Sequence, residues 1–240
     1  MLSDLNIKSR RGRDALRQRR SCALKPSAPP PAHRPLRARP QAIKARGKWA
    51  LLRVPSDERA SIKKALDLGP DALIVPLIST VDAADALVAS VRYPHDLGAR
   101  GVAYPLIRAS GWGTDPKYLS EYRERTLLLP QIEDQCGVQN ANEILGVDGI
   151  DGVFIGPLDL SSSLGLPGDL ANQRVQDAIA ALEQSAKDCN KLLCGYAPPQ
   201  SPAGGAAKPG YAMVACAADM ALLRDAAVAN ARAAHAARGD

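Results

Sequence analysis

Two carboxylates follow apolar runs in the middle of the chain, at positions from which they could share a metal ion. The apolar run 127–129 leads into Gln131 and Glu133, and the apolar run 153–155 is followed by Asp159. An apolar run, a helical segment and a second apolar run predict a unit with two parallel strands, whose carboxyl ends meet at one edge of the sheet. Because neighbouring strands lie ~4.8 Å apart, Glu133 and Asp159 could bind one hard cation such as Mg²⁺ or Mn²⁺. The alternative is that both are polar groups at a solvated rim.

Strand-like and helix-like segments alternate from residue 48 onward. Short apolar runs predict strands, and apolar residues spaced by three and four predict helices. This alternation, with polar residues at the strand ends, predicts a (β/α)8 TIM barrel. Only about six of the eight strands are evident after residue 48, so the barrel is expected to be incomplete at its N-terminus. The predicted strands are 49–52, 71–76, 127–129, 153–155, 192–197 and 211–217, and the predicted helices are 56–68, 79–91, 173–189 and a segment from about residue 219.

The composition limits the class of protein. The chain has 240 residues, of which 46 % are hydrophobic, which is enough for one sizeable core without a clear second domain. No run approaches the ~18 apolar residues of a membrane-spanning helix, so no membrane partner is expected. The five cysteines form no Cys-x-x-Cys pair, which favours thiols in a reducing, cytoplasmic compartment.

Positive charge is concentrated in the first 48 residues. They hold 14 of the chain's 31 Lys and Arg but only Asp4 and Asp14 of its 25 acids, so their net charge is +12 and that of the remainder is −6. Residues 1–47 form a basic, Pro- and Arg-rich arm that is expected to be disordered, because its composition buries too little surface to offset chain entropy. Residues 48–240 form the predicted folded domain.

Three interpretations of the arm are open. It could be a tether to an anionic surface, an organellar transit peptide, or a frame-shifted reading, over residues 1 to about 40, of a segment that should encode two strands. The arm contains no aromatic residue to interleave with its charges, so no nucleic-acid partner is expected.

Several short strings between residues 48 and 235 resemble the HpcH/HpaI aldolase family, which comprises metal-dependent pyruvate aldolases related to the citrate lyase β subunit. The strings occur in the family's order and with sensible spacing, and the last two are the most specific. They are Leu52-Arg53-Val54-Pro55, Ile74-Val75-Pro76-Leu77-Ile78, Arg92-Tyr93-Pro94, Arg100-Gly101, Arg108-Ala109, Gln131-Ile132-Glu133 and Gly152-Val153-Phe154-Ile155-Gly156-Pro157-Leu158-Asp159-Leu160-Ser161.

The resemblance implies a role for each residue at the strand ends. Glu133 and Asp159 would hold Mg²⁺, Mn²⁺ or Co²⁺, which would chelate pyruvate and polarise its carbonyl as a Lewis acid. Arg53 would face the keto oxygen and stabilise the negative charge that develops there. The backbone N–H groups of Leu158 and Asp159 would bind the pyruvate carboxylate. Gln131 would hydrogen-bond near the metal, or play a structural role only.

The resemblance also implies the function and the partners. The expected enzyme cleaves or forms 4-hydroxy-2-oxoacids, with pyruvate and an aldehyde as partners, and assembles as a homo-oligomer, a hexamer by family resemblance. The long loop 93–118, around Arg100 and Gly101, would border the site, where the family often places it against a neighbouring subunit.

One departure from the family pattern leaves two alternatives open. In the family, two strands precede the strand that ends in Arg53, and the second carries an acidic, His-containing motif for proton transfer. Here the corresponding stretch is the arm, and its only histidine, His33, lies in a proline tract and is not given that role. The first alternative is an impaired remnant that binds metal and oligomerises without efficient turnover. The second is a citrate-lyase-like enzyme that acts on a CoA thioester.

Overall fold

The computed structural model describes residues 22–24, 34–196 and 209–238, in which strands and helices alternate. Every strand predicted from the sequence is present, with ends shifted by a few residues. The strands are β1 (Cys22–Leu24), β2 (Ala50–Arg53), β3 (Ala72–Val75), β4 (Leu127–Ile132), β5 (Gly152–Ile155), β6 (Leu192–Tyr196) and β7 (Met213–Ala215). The helices are α1 (Arg34–Ala45), α2 (Arg59–Leu66), α3 (Val81–Val91), α4 (Tyr118–Arg125), α5 (Gln135–Gln139), α6 (Ala141–Gly146), α7 (Pro157–Ser163), α8 (Gln173–Asp188) and α9 (Asp219–Arg238).

The strands lie side by side in chain order, from β1 to β7, and every neighbouring pair is parallel. Parallel neighbours need a crossover connection, which the intervening helices and loops provide. The result is a curled parallel sheet covered by helices, so the predicted parallel α/β fold is confirmed. Within the described residues β1 and β7 each pair with one neighbour, and closure into an eight-stranded barrel stays a prediction.

The two faces of the sheet carry different sets of buried residues, because successive side chains in a strand point to opposite faces. The outer face packs against the helices: Leu52, Leu73, Val75, Val153 and Leu193 share one cluster with residues of α2, α3, α6 and α8. The inner face consists mainly of strand residues: Leu51, Ala72, Ile74, Leu127, Leu129, Phe154, Leu192, Cys194 and Met213.

The inner face changes from apolar to polar toward the carboxyl ends of the strands. Gln131 continues the alternation of Leu127 and Leu129 along β4, and Arg53 continues that of Leu51 along β2. These polar side chains therefore project from the same face as the inner cluster, at the edge where β2 and β4 end. This is the position in which a parallel barrel carries its active residues.

The β4–β5 ladder is short and lies next to the polar edge. Pro130 lacks an N–H group and cannot donate to a neighbouring strand, and the paired residues are Gln131 with Phe154 and Ile132 with Ile155. Beyond the ladder, the Gly156 N–H donates to the Ile132 carbonyl at 3.2 Å. The carboxyl ends of the two strands are thus held together where their polar residues begin.

Part of the arm differs from the sequence expectation. Residues 34–45, expected to be disordered, form α1, and β1 pairs with β2 through Cys22 and Ala50. The physical reason is tertiary contact: Pro40 is buried, and Lys44 Nζ donates to the Gly69 carbonyl at 2.8 Å. Strand β2 is consequently paired on both sides, with β1 and with β3. Residues 1–21 and 25–33, which include His33, lie outside the described residues.

The last helix, α9, begins at Asp219 as predicted. It is exposed along its length and carries Met220, Leu222 and Leu223 on its surface. Across the ranges that the structure describes, no helix combines the length and the apolar character needed to cross a membrane.

Candidate active site

Glu133 and Asp159 follow neighbouring strands, as the sequence predicts. Glu133 comes directly after β4 and is only 3 % exposed, and the chain then turns into α5 because Asp134 caps that helix, accepting from the Gly137 N–H at 2.7 Å. Asp159 lies in the first turn of α7, just after β5, and is exposed. The structure brings the two carboxylates close enough for their charges to interact.

Both oxygens of Glu133 accept hydrogen bonds, one from beyond the end of β3 and one from β4. The backbone N–H of Leu77, two residues beyond β3, donates to Oε1 at 3.1 Å. The side-chain amide of Gln131 donates to Oε2. Because the two donors approach different oxygens, the carboxylate has a fixed orientation although it lies in a loop.

Arg53, Gln131 and Glu133 form a hydrogen-bonded chain across two strand ends. Arg53 Nε donates to Gln131 Oε1 at 3.0 Å, and the NH₂ group of Gln131 donates in turn to Glu133 Oε2. Gln131 is only 1 % exposed, so its amide is aligned by these two bonds. The structure thus brings together three of the residues that the sequence singled out and gives Gln131 a contact with each of the other two.

Gly156 leaves the space that Glu133 and Gln131 occupy. A Cβ atom at this position would lie 2.5 Å from Glu133 Oε2, 2.8 Å from Gln131 Nε2 and 2.8 Å from Glu133 Cβ. Contacts of this length are too short for any side chain, so a larger residue would displace the carboxylate. The glycine between β5 and α7 is therefore part of the site.

Gly156→Ala is expected to lower the free energy of unfolding by about 1–3 kcal/mol, the usual cost of overpacking, and to weaken divalent-cation binding by moving Glu133. Chemical denaturation and calorimetric titration with Mn²⁺ measure the two effects. Gly146→Ala is the matched control, because a Cβ atom at Gly146 in α6 meets nothing within 4 Å. A Gly156→Ala protein that matches the Gly146→Ala protein in both measurements would contradict this role.

The charge of the site suits a cation. Burial, together with the nearby Asp159 carboxylate, raises the pKa of Glu133 to about 7. A divalent cation between the two groups would offset their repulsion, and carboxylate oxygens are the ligands that Mg²⁺ and Mn²⁺ prefer. In the described part of the chain, no group of three or more His, Cys, Asp and Glu side chains could hold a metal. Glu133 and Asp159 would leave other coordination positions to water and substrate.

A separate cavity of about 270 Å³ lies at the opposite, amino-terminal ends of the strands, where Asp71 and Asp151 precede β3 and β5. Arg100 lines this cavity and pairs with Asp67 at 3.2 Å, beyond the end of α2. Within one chain, Arg100 therefore lies away from Glu133, and the expectation that its loop borders the site against a neighbouring subunit stays a prediction.

Comparison with known proteins gives a consistent set of relatives. The model of the HpcH/HpaI aldolase/citrate lyase family matches residues 25–226. The chain is 38 % identical over 190 residues to a hydroxypyruvate/pyruvate aldolase of Delftia acidovorans, covering 79 % of this chain and 70 % of that protein. It is 46 % identical over 142 residues to a 4-hydroxy-2-oxovalerate aldolase of Rhodococcus jostii, covering 59 % of this chain and 54 % of that protein.

A solved structure has the same fold. The HpcH/HpaI aldolase/citrate lyase family protein from Burkholderia cenocepacia J2315 superimposes with a TM-score of 0.77 at 29 % identity, and the match covers 83 % of this chain and 79 % of that one.

The sequential parallel sheet, covered by helices and with polar side chains gathered at its carboxyl edge, places the chain in the α/β class. The chain belongs to the HpcH/HpaI aldolase/citrate lyase family, as the sequence resemblance indicates. The family match begins at residue 25, so it includes part of the arm that the sequence strings had left outside the resemblance.

Two residues of the site were missed by sequence reasoning. Gly156 carries a weak signal, since a glycine that directly follows a buried strand often marks a close approach of neighbouring groups. Leu77 carries none, because nothing in its residue type indicates that its backbone N–H group contacts a carboxylate.

Proposed function

We propose that the chain is a divalent-metal-dependent aldolase that cleaves or forms 4-hydroxy-2-oxoacids, with pyruvate as one partner. The observation that carries the proposal is the Arg53–Gln131–Glu133 hydrogen-bonded chain, which ends beside Asp159. It puts a guanidinium group and a pair of carboxylates at one edge of the sheet. The aldolase names of the relatives from Delftia and Rhodococcus support the same reaction class.

Glu133 and Asp159 would hold the cation, Mg²⁺ or Mn²⁺ by the chemistry of their oxygens. When bound, such a cation supplies Lewis-acid polarisation of the keto group of the substrate. The buried Glu133 provides a fixed ligand, and the exposed Asp159 provides a ligand that solvent and substrate can approach.

The chain's own groups would bind the two ends of the pyruvate unit. The N–H groups of Leu158 and Asp159 lie in the first turn of α7, where backbone donors have no partner inside the helix, and they would bind the carboxylate. Arg53 would donate to the keto oxygen. Within the described part of the chain, Arg53 bonds through Nε to an amide oxygen rather than to a carboxylate, so its charge is retained for the substrate.

Cleavage removes one proton and adds another. A base removes the proton of the C4 hydroxyl group, and the electron pair of that O–H bond completes the aldehyde carbonyl as the C3–C4 bond breaks. The pair of the broken bond forms a C2–C3 double bond, and the π pair of the keto group moves onto the keto oxygen. Arg53 stabilises the charge on that oxygen until C3 takes up a proton to form the methyl group of pyruvate. Preorganised donors of this kind typically contribute ~10²–10³-fold in rate.

Two assays on the full chain with Mn²⁺ test the proposal. Release of pyruvate from a 4-hydroxy-2-oxoacid, coupled to lactate dehydrogenase, measures cleavage, and deuterium exchange into the methyl group of pyruvate measures enolate formation without breaking a C–C bond. We expect both activities, and both should disappear with a chelator. Efficient exchange with cleavage slowed by ~10²–10⁴-fold, the usual cost of a missing general acid–base residue, would instead favour the impaired remnant. The absence of both activities would reject the proposal.

The position of His95 favours the impaired remnant as a second candidate function. His95, in the long loop, stacks on Tyr93 with the ring centroids 5.9 Å apart and packs against Tyr122, which lines the cavity at the amino-terminal ends of the strands. His95 therefore does not lie beside Glu133. The comparison of proton exchange with cleavage is the measurement that separates the two functions.

A further inference from the structure

Leu77 has a backbone conformation that its residue type disfavours. Its φ is +56°, in the left-handed region, where a leucine encounters a steric clash between Cβ and the following carbonyl group. Packing of the side chain does not compensate, because Leu77 is 63 % exposed. The neighbouring residues must therefore impose the conformation.

The residues on both sides of Leu77 are anchored. Pro76 is buried and Ile78 is fully buried, and the Ile78 N–H donates to the Gln131 carbonyl at 3.3 Å. One residue further on, Asn140 Nδ2 donates to the Ser79 carbonyl at 2.8 Å. A strained residue between two fixed neighbours is the situation in which strain persists, and it is found most often at functional sites.

The conformation has a consequence for hydrogen bonding. In an extended strand, side chains and N–H groups alternate in direction from one residue to the next. At Leu77 and Ile78, however, consecutive N–H groups both reach the end of β4: the first donates to Glu133 Oε1 at 3.1 Å and the second to the Gln131 carbonyl. The left-handed rotation at Leu77 lies between these two N–H groups and lets both face β4.

We propose that the left-handed backbone of Leu77 positions Glu133, by directing the Leu77 N–H at Oε1 while Gln131 binds Oε2. The role of Glu133 as a metal ligand rests on the proposed function, whereas the backbone contact itself does not. Leu77 is a positioning residue and acts through Glu133. Its peptide group, not its side chain, has this role.

Substitutions at Leu77 and Leu97 separate the positioning role from ordinary strain. Leu97, in the long loop, has a φ of +57° and is 93 % exposed, and its N–H donates to the Pro94 carbonyl at 3.2 Å. It is therefore a second strained, exposed leucine that does not contact Glu133. Isoleucine keeps the composition of the side chain but is β-branched and tolerates a positive φ least, whereas glycine adopts that conformation freely.

The first measurement needs neither metal nor substrate. Protein labelled with ¹⁵N-leucine reports hydrogen exchange at the Leu77 amide, which should be protected in the parent chain. We expect Leu77→Ile, labelled with ¹⁵N-isoleucine, to speed exchange at the residue 77 amide at least ~10-fold by releasing the N–H from Glu133. Glu133→Ala should do the same at the Leu77 amide by removing the acceptor. In a Leu77→Gly chain, the amide of residue 77, labelled with ¹⁵N-glycine, should remain protected. A Leu77→Ile protein with a protected residue 77 amide would overturn the inference.

The second measurement is calorimetric titration with Mn²⁺ alone. Loss of a group that orients a metal ligand typically costs ~10–100-fold in affinity, so Leu77→Ile should weaken Mn²⁺ binding about 10-fold. Leu77→Gly should bind Mn²⁺ as tightly as the parent chain. Leu97→Ile should lower the denaturation midpoint about as much as Leu77→Ile but leave Mn²⁺ affinity unchanged. Equal losses of affinity in both isoleucine variants would overturn the positioning role. If the parent chain binds no Mn²⁺, the proposed metal site fails, and the exchange measurement still decides the inference.

Discussion

Glu133→Gln and Asp159→Asn are each expected to abolish measurable Mg²⁺ and Mn²⁺ binding in isothermal titration calorimetry. With two carboxylates as the only protein ligands of the proposed site, each substitution removes half of the negative charge that offsets dehydration of a hard cation. The loss should exceed the ~10–100-fold cost of removing an outer-shell partner. Pyruvate formation should fall with cation binding in both variants.

The two substitutions differ in what they do to the surrounding structure. Glutamine at position 133 would turn an NH₂ group toward either the Leu77 N–H or the Gln131 amide, both of which are donors, so this variant also disturbs the site. Asp159 is exposed, and its charge repels the Glu133 carboxylate. Because that charge does not stabilise the metal-free chain, Asp159→Asn should leave its stability intact. Asp159→Asn is the cleaner test.

Glu143→Gln is the matched control, since Glu143 is exposed on α6, and it should bind cations as the parent does. Unchanged affinity in both Glu133→Gln and Asp159→Asn would remove the basis of the assigned site. Lost affinity in Glu133→Gln alone would leave Glu133 as a ligand and exclude Asp159.

The sheet and the position of the carboxylates could be predicted from the sequence because both depend on local patterns. The two apolar runs around the central unit became β4 and β5, which are parallel and paired. Parallel pairing then places Glu133 and Asp159 at the same edge whatever the details of packing. The alternation of inner and outer residues likewise puts Gln131 on the face of Leu129.

The contacts that orient the site could not be predicted, because they join residues distant in sequence. The Arg53–Gln131 bond spans 78 positions, and the bond between the Leu77 N–H and Glu133 spans 56. Helix α1 was missed for a related reason. Its composition disfavours an isolated helix, and its burial of Pro40 and its bond from Lys44 to Gly69 exist only once the sheet has formed.

Arg53→Ala is expected to lower kcat for cleavage of a 4-hydroxy-2-oxoacid by ~10²–10³-fold, the usual effect of removing one preorganised donor to a developing oxyanion. Mn²⁺ affinity should change by no more than a few-fold, because Arg53 contacts Gln131 and not the carboxylates. Steady-state kinetics and calorimetric titration on the same preparation measure this split. Arg174→Ala, at an exposed position on α8, is the control and should match the parent in both.

The split between kcat and cation affinity decides how Arg53 acts. Without Arg53, Gln131 Oε1 loses its donor, and rotation of the amide would take the NH₂ group away from Glu133. A fall in Mn²⁺ affinity that parallels the fall in kcat would therefore mean that Arg53 works by orienting Gln131, and not by contacting the keto oxygen. Arg53→Lys distinguishes the two, since lysine keeps a charge near the substrate but cannot reproduce the planar Nε donor. Direct stabilisation predicts partial recovery of kcat in Arg53→Lys, whereas full turnover in Arg53→Ala would exclude both roles.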